Sequence, residues 1–261
     1  MVDNDAARAE GRGTSVIVNV IDVLRCFSVD EPQQGVTGIA EKVGLHKSTV
    51  SRILSTLEEQ RIVERDEPSR KYRLGLGLIA VAGPLLANLD VRRVAMDDLH
   101  ELAEQTGETA ALTIWDGEAS VTVEQVPSRH LVKHTSAMGS RYATGMSASV
   151  QVFLAHLHDA ETRQLVESGR VHFEGEVTTS GYLERLAAVR EQGFAVNHGQ
   201  ASPEEVGIAA PVRDHRGEVV AAVMIAAPYY RVPEAALPEM AQTCRRTARG
   251  IGRRLGATAA Q

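Results

Sequence analysis

The chain reads as an α+β protein: an N-terminal winged helix-turn-helix domain, a helical linker, and a C-terminal domain with an antiparallel sheet flanked by helices. Three observations predict this. Apolar residues recur at helical spacing from residue 16 to about residue 60. Two short strand-like runs then flank the polar loop 66–70. From Glu108 the apolar period changes to two, and strands alternate with helices to the end. The expected boundaries are a frayed N-terminus at 1–13, the winged domain at 14–75, the linker at 76–89 and the second domain at 90–261.

Thr14 or Ser15 can cap a first helix that Asp30-Glu31-Pro32 stops. Thr37 is the expected N-cap of a two-turn helix, and Gly44 the left-handed residue that ends it. A third helix covers His46 to Gln60. Arg61–Arg65 and Lys71–Leu74 are the two wing strands. Leu76–Asn88 is apolar and helical, with a kink expected at Pro84. Asp90 caps the next helix. Strands follow at 110–115 and 119–126, joined by Asp116-Gly117, a strong hairpin signal. A third strand is expected at 130–135. Helices come at 148–157, 160–167 and 183–192, strands at 194–197, 206–212 and 219–226, and a closing helix at 233–255.

Composition narrows the function classes. The 261 residues hold 28 Lys and Arg against 34 Asp and Glu, a net charge of -6, which argues against a uniformly basic nucleic-acid or membrane coat. Aromatics are 4%, too few for rows of base-stacking rings. Cys26 and Cys244 form no CxxC, so neither a thiolate zinc site nor a disulfide framework organises the fold. No metal or cofactor is expected. With no signal-like or membrane-length apolar run, a cytoplasmic protein is expected.

The motif with most chemical content is Ala40-x-x-x-Gly44-Leu45 followed by Val50 and Ile53. A helix-turn-helix needs a small residue where its helices touch, a glycine in the turn and apolar residues to seat the second helix. On that second helix Val50, Ile53, Leu54 and Leu57 share one side. Ser48, Ser51, Arg52, Ser55 and Glu59 lie opposite, flanked by Lys47 and Thr49. Small hydroxyls permit close approach to a major groove, and an arginine can read guanine bidentately. Residues 42–73 carry eight basic and five acidic side chains, a positive window in an acidic chain. Base readers are thus expected at Lys47, Ser48, Thr49, Ser51, Arg52 and Ser55, and phosphate contacts at Thr37, Arg70, Lys71 and Arg73.

Gly44-Leu-His-Lys-Ser-Thr-Val-Ser-Arg-Ile-Leu54 resembles the GL-x-KST-x-x-RLL signature of the IclR family of bacterial transcriptional regulators. Lys71-Tyr-Arg-Leu-Gly75 resembles that family's wing end. Gly193–Gly199, Gly207–Val212 and Gly217–Ala222 resemble strands of its effector domain, so the likeness runs from about Thr14 to Leu255. It implies a GAF-like effector domain and dimers or dimers of dimers on palindromic DNA operators. It also implies a small-molecule effector, an organic or aromatic acid. The loop Gly139–Ala155 departs from the family pattern: Ala143-Thr144-Gly145 replaces Pro-Leu-His, Val150-Gln151 replaces Gly-Lys, and Gln200 stands where an acid is common.

The segment Gly139–Ser149 precedes a helix whose first turn offers free amides, which suits a carboxylate. A neutral-lined pocket is therefore expected there. Its candidate residues are Met146, Ser147, Ala148, Ser149, Asn197, Gly207, Met224 and Ala226, with Thr113 and Trp115 nearby. Other motifs carry less. Gly75-x-Gly77-x-x-Ala80 follows a short charged strand rather than a buried one. His130 and His134 lack an HExxH glutamate. Gly145-Met-Ser147-Ala-Ser149 misses a nucleophile elbow by one residue. Arginines 245, 246, 249, 253 and 254 make the closing helix basic, able to touch nucleic acid or simply to offset the helix dipole. Two other classes stay open: a hydrolase or transferase in the second domain, and a winged helix that binds protein. The expected function is a repressor of a catabolic operon.

Overall fold

The structure, a computed structural model, describes residues 16–28, 31–87, 90–175 and 177–258. It divides into two compact units, residues 1–88 and 89–261.

The first unit is built on helices α1 (16–25), α2 (Val36–Val43) and α3 (Lys47–Glu59), strands β1 (Val63–Arg65) and β2 (Tyr72–Leu74), and helix α4 (Gly77–Ala87). Val23, Phe27, Ile39, Ala40, Val50, Ile53, Leu54, Val63 and Tyr72 form its core. The expected cap at Thr14 or Ser15 lies outside the described residues, as does the stop at Asp30. Gly44 adopts φ 66°, and its N–H donates to Ala40 O, which closes α2 and turns the chain into α3. A Cβ at Gly44 would meet nothing within 4 Å. The glycine is therefore needed for its backbone angle and not for space.

Thr37 does not cap α2. The helix starts one residue before it, with Gly35 at the N-cap. The reason lies across the wing: Gln34 N–H donates to Tyr72 O at 2.9 Å and Tyr72 N–H donates back to Gln34 O at 2.8 Å. This bridge holds the chain extended as far as residue 34. Glycines 75 and 77 have a structural purpose too. A Cβ on either would fall 2.4 or 2.5 Å from Arg61 O, so both let the wing exit press against the end of α3. The GxGxxA pattern is thus a backbone contact, and α4 runs on from it through Pro84.

The second unit is a six-stranded antiparallel sheet ordered β5-β4-β3-β8-β7-β6. Its strands are β3 (Thr109–Trp115), β4 (Ser120–Val126), β5 (Arg141–Tyr142), β6 (Ala195–His198), β7 (Glu205–Arg213) and β8 (Val219–Pro228). Helices α5 (Asp90–Thr106) and α9 (Leu237–Arg254) cover one face, with Leu99, Leu102, Leu112, Ile208, Val223, Cys244 and Ile251 between. Helices α6 (Ala148–Leu154), α7 (Asp159–Glu167) and α8 (Thr179–Gln192) cover the other. Thr178 caps α8 through its side-chain oxygen, and Gly193 at φ 76° ends it.

Three expectations are corrected. Residues 130–135 form no strand; β5 pairs with β4 instead. Leu131 is fully exposed, and the segment is held by side chains: Thr109 Oγ1 donates to His134 O at 2.6 Å and Ser136 N donates to Gln125 Oε1 at 3.0 Å. Helix α6 stops at Leu154, three residues early. The closing helix starts at Leu237, after two short 3-10 turns at Tyr229–Arg231 and Glu234–Ala236.

Because Gly44 has open space around it, its substitution isolates backbone strain. Gly44→Ala should lower the stability of the first unit by about 1 kcal/mol, and Gly44→Asn by less, since Asn tolerates the left-handed region. Urea unfolding followed by circular dichroism checks both.

Candidate functional site

Helix α3 buries Val50, Ile53 and Leu54 and leaves Lys47, Ser48, Ser51, Arg52 and Ser55 exposed, with Thr49 half-buried. Among the described residues these exposed side chains make no hydrogen bond or ion pair, so a polar face with two cations stands free for a partner. The wing adds Arg70 and Lys71, both exposed. Arg70 sits at φ 55° in the turn, beside Asp66, whose carboxylate accepts from Ser69 N at 3.0 Å. Hydrogen bonds from Ser69 lower the Asp66 carboxyl below its usual range. Arg73 differs from its neighbours: Nε and Nη2 both donate to Glu64 Oε2, at 3.1 and 2.9 Å. Thr37 is exposed at the second position of α2.

In the second unit the strand registers place most of the expected effector residues on the face beneath α6. Asn197 pairs with Gly207, and Gly207 with Ala226. A Cβ on Gly207 would lie 3.6 Å from Ala148 Cβ and 3.8 Å from Asn197 Cβ. Met224 lies one row along, between Ala111 and Ala209. The floor is thus made of small residues, which lets α6 sit close. Ser147 and Ser149 are buried above it with hydroxyls 3.3 Å apart. Met146 O accepts from Gln151 Nε2 at 2.8 Å. Thr113 lies one row beyond Met224, and Trp115 stands apart. Thr109 is in register with Ala226, and Trp115 lies six residues further along β3, roughly 20 Å away at the strand rise. Trp115 packs on Phe153 at the far end of α6.

Asn197 Oδ1 accepts from Gln200 N and Ala201 N at 2.8 and 2.9 Å, while its Nδ2, buried, has no partner among the described residues. A buried donor left in this state calls for an acceptor. Two charged groups, Arg185 and Glu205, and the titratable His134, which sequence spacing did not bring together, lie near the Asn197–Gly207 pair. Arg185 reaches from α8 to Gln151 Oε1 (2.6 Å), Val196 O (3.1 Å) and Gln200 Oε1 (2.6 Å). It is half-buried with only neutral acceptors, and burial lowers its pKa. Glu205 Oε1 comes 3.6 Å from the Gly207 position, and Glu205 Oε2 lies 3.1 Å from His134 Nε2. The surroundings are therefore not neutral as expected. Helix α6 is also only seven residues long, a weak dipole for a carboxylate. Arg185 is a better counter-charge.

Among the described residues no histidine or carboxylate hydrogen-bonds Ser147 or Ser149. Among the described residues no three His, Cys, Asp or Glu side chains gather as metal ligands. No described helix is long and apolar enough to cross a membrane.

His134 supplies a pH test of this corner. Its hydrogen bond to Glu205 raises its pKa above 6.5, despite opposing burial. The folded state holds the proton more tightly than the unfolded chain. The pair's stabilisation is therefore complete below pH 6.5 and is lost as pH rises through the raised value. Thermal melts of the protein and of His134→Gln should differ most in acid and converge in mild alkali.

Comparison with known proteins follows the same outline. The IclR helix-turn-helix domain model matches residues 16–67, and the bacterial transcriptional regulator IclR C-terminal model matches residues 84–253. The HTH-type transcriptional regulator KdgR of Escherichia coli is 30% identical over 245 residues, 93% of each chain. A crystal structure of the targeted domain of an IclR-family regulator is 48% identical, with TM-score 0.63, and covers 64% of this chain and 98% of its own. An IclR homolog of Microbacterium hydrocarbonoxydans, complexed with 4-hydroxybenzoate, shares the fold at 24% identity and TM-score 0.76 over 93% of this chain and all of its own. The chain is thus a DNA-binding transcriptional regulator with an N-terminal helix-turn-helix and a GAF-like second domain, and it belongs to the IclR family.

Proposed function

We propose that this regulator is a cytoplasmic, ligand-responsive repressor of a catabolic operon, with no catalytic step of its own. Residues 14–75 would bind DNA, 76–89 would link, and 90–261 would bind the effector. The observation that carries the reading is the free polar face of α3 beside the wing cations. Lys47, Ser48, Thr49, Ser51, Arg52 and Ser55 would enter the major groove, and Thr37, Arg70 and Lys71 would hold phosphates. Arg73 would join them by exchanging Glu64 for phosphate, an exposed pair that costs little to break. One such helix spans few base pairs, so a homodimer or dimer of dimers on a palindrome is proposed. Exposed Ile17, Val18 and Ile21 on α1, with Leu76, Ile79 and Val81 about α4, are apolar surface suited to a second copy. A protein-binding winged helix would not need this groove-sized hydroxyl face.

Fluorescence anisotropy on matched and shuffled duplexes tests the roles. Arg52→Ala should cost about 1–3 kcal/mol per contact and relax one base position per half-site. Arg70→Ala should weaken all duplexes alike and reduce the salt slope by about one. If the two variants behave identically, the division into base reader and phosphate clamp fails.

The effector is proposed to be a small carboxylic acid beneath α6, touching Ser147, Ala148, Ser149, Asn197, Gly207 and Ala226, with Met146 and Met224 as adaptable apolar wall. Thr113 would stand one row beyond Met224, and Trp115 would act only at the distant end. Supports are the unpartnered Asn197 Nδ2, the uncompensated Arg185, and the 4-hydroxybenzoate held by the Microbacterium relative. Asn197→Asp keeps the acceptor for Gln200 and Ala201 but replaces the free donor with a negative charge. It should weaken 4-hydroxybenzoate or a related acid by at least about tenfold in calorimetry, with circular dichroism checking that the free variant stays folded. Undiminished binding would place the effector elsewhere.

A further inference from the structure

A cavity of about 610 Å³ opens in the second unit, away from the face beneath α6. None of the residues assigned above to the effector lines it. Three backbone ends meet there: the C-terminus of α8 at Gly193, the β7–β8 turn at 213–217, and the last three turns of α9. Six arginines face it, Arg190, Arg213, Arg216, Arg245, Arg249 and Arg253, against two carboxylates, Glu191 and Asp214. In a chain of net charge -6 this is a concentrated positive field.

Helix-capping explains only part of it. Arg190 Nε donates to Ala155 O at 2.5 Å, Arg245 Nη1 to Gln192 O at 2.9 Å and Arg213 Nη1 to Gly217 O at 2.6 Å. Arg216 is paired with Asp214 at 2.9 Å, and Arg190 Nη2 also lies 3.4 Å from Asp159 Oδ1. Arg249 and Arg253 have no hydrogen bond or ion pair among the described residues. Arg245, Arg249 and Arg253 stand four apart, one stripe of like charge along α9, which disfavours the helix unless something answers it. The other arginines of α9 are answered: Arg254 pairs with Asp98 and Arg246 donates to Thr243 Oγ1 at 2.8 Å. Burial, with Arg213 and Arg190 alongside, also lowers His156 at the cavity wall.

We propose that this cleft is a second ligand site, for a small polyanion carrying two or more phosphate or carboxylate groups, separate from the effector site. The volume lies in the range of small-molecule pockets, and a concave cleft admits a metabolite more readily than a duplex. Arginine forks suit oxygen-rich anions of either kind. No Phe, Tyr or Trp lines the cleft, so recognition would rest on the anionic groups and not on a stacked ring.

Calorimetry on the full chain at low salt, with inorganic triphosphate, pyrophosphate, orthophosphate and citrate, is the test. Triphosphate or citrate should bind at least about tenfold more tightly than orthophosphate. Arg249→Ser with Arg253→Ser should weaken that binding by at least about tenfold, while Arg163→Ser with Arg246→Ser, an equal loss of charge elsewhere, should leave it within about twofold. Arg249→Lys with Arg253→Lys keeps the charge and should retain most of the affinity, which controls for folding. The preference between triphosphate and citrate identifies the anionic group. Equal losses in both serine pairs would reduce the effect to net charge and overturn the site, as would absence of binding by every polyanion. So would a Arg249→Ser, Arg253→Ser variant that loses affinity for a nonspecific duplex but not for triphosphate; the arginines would then be DNA-backbone contacts.

Discussion

The central constraint in the second unit is that strands β7 and β8 are buried on both faces. From Val206 to Ala210 and from Ala221 to Pro228 every residue is buried, so alternation sorts side chains between two apolar cores and not between core and solvent. One core takes Ile208, Val223 and Ile225 beneath α5 and α9. The other takes Gly207, Ala209, Ala222, Met224 and Ala226 beneath α6. The second set is smaller, so the short helix α6 lies close to the sheet with all seven of its residues buried. A polar group on that face must find a partner within the layer or from a ligand. Asn197 shows both outcomes at once, with its oxygen satisfied by Gln200 and Ala201 and its nitrogen unmet.

The same constraint explains what the sequence made legible. The unbroken apolar runs at 206–212 and 219–226 read as strands because nothing else so short and apolar fits, and Gly193 ends its helix as its left-handed angle requires. The helix-turn-helix was equally open to reading, since Gly44, Ala40 and the spacing of Val50, Ile53 and Leu54 are local. What escaped depends on distant partners. Thr37 looked like a cap because its competitor is a backbone bridge from Gln34 to Tyr72, 38 positions on. Residues 130–135, with Leu131 and Val132 side by side, are expected as a strand, but the segment is tied by Thr109 Oγ1 to His134 O, by Ser128 Oγ accepting from His130 N and, just beyond it, by Gln125 Oε1 accepting from Ser136 N.

The proposed effector region shows the limit most sharply. Ser147, Ala148, Asn197, Gly207 and Ala226 do converge, and the glycine and alanines could be read as a close approach. Arg185 could not be seen there: it lies 34 positions from Gln151, and only the packing of α8 beside α6 and β6 delivers it. The substitution of Gln200 for an acid gave the available hint. An acid at that position would have met Arg185, whereas the glutamine leaves the guanidinium among neutral oxygens.

Several arginines of the second unit pair with carboxylates, as Arg92 does with Glu124 and Arg231 with Glu108, but four share another arrangement. Helix and strand ends present carbonyl groups that lack partners, and guanidinium groups answer them: Arg185 at Val196, Arg190 at Ala155, Arg245 at Gln192, Arg213 at Gly217. Each is a sound local solution, because an arginine can satisfy a carbonyl while keeping part of its fork hydrated. Yet α6, α8 and the β7–β8 turn all end on the same side of the second unit, so three of these local solutions bring their charge to one cleft. Capping alone would favour acids beside them to offset the crowding, as Asp98 does for Arg254. Arg249 and Arg253 do the reverse: they cap no carbonyl in the described chain and add to the field already there. Arg253, in the last turn of α9, offsets the helix dipole, but Arg249 lies a turn earlier and adds like charge to the stripe, which an anion in the proposed cleft would compensate.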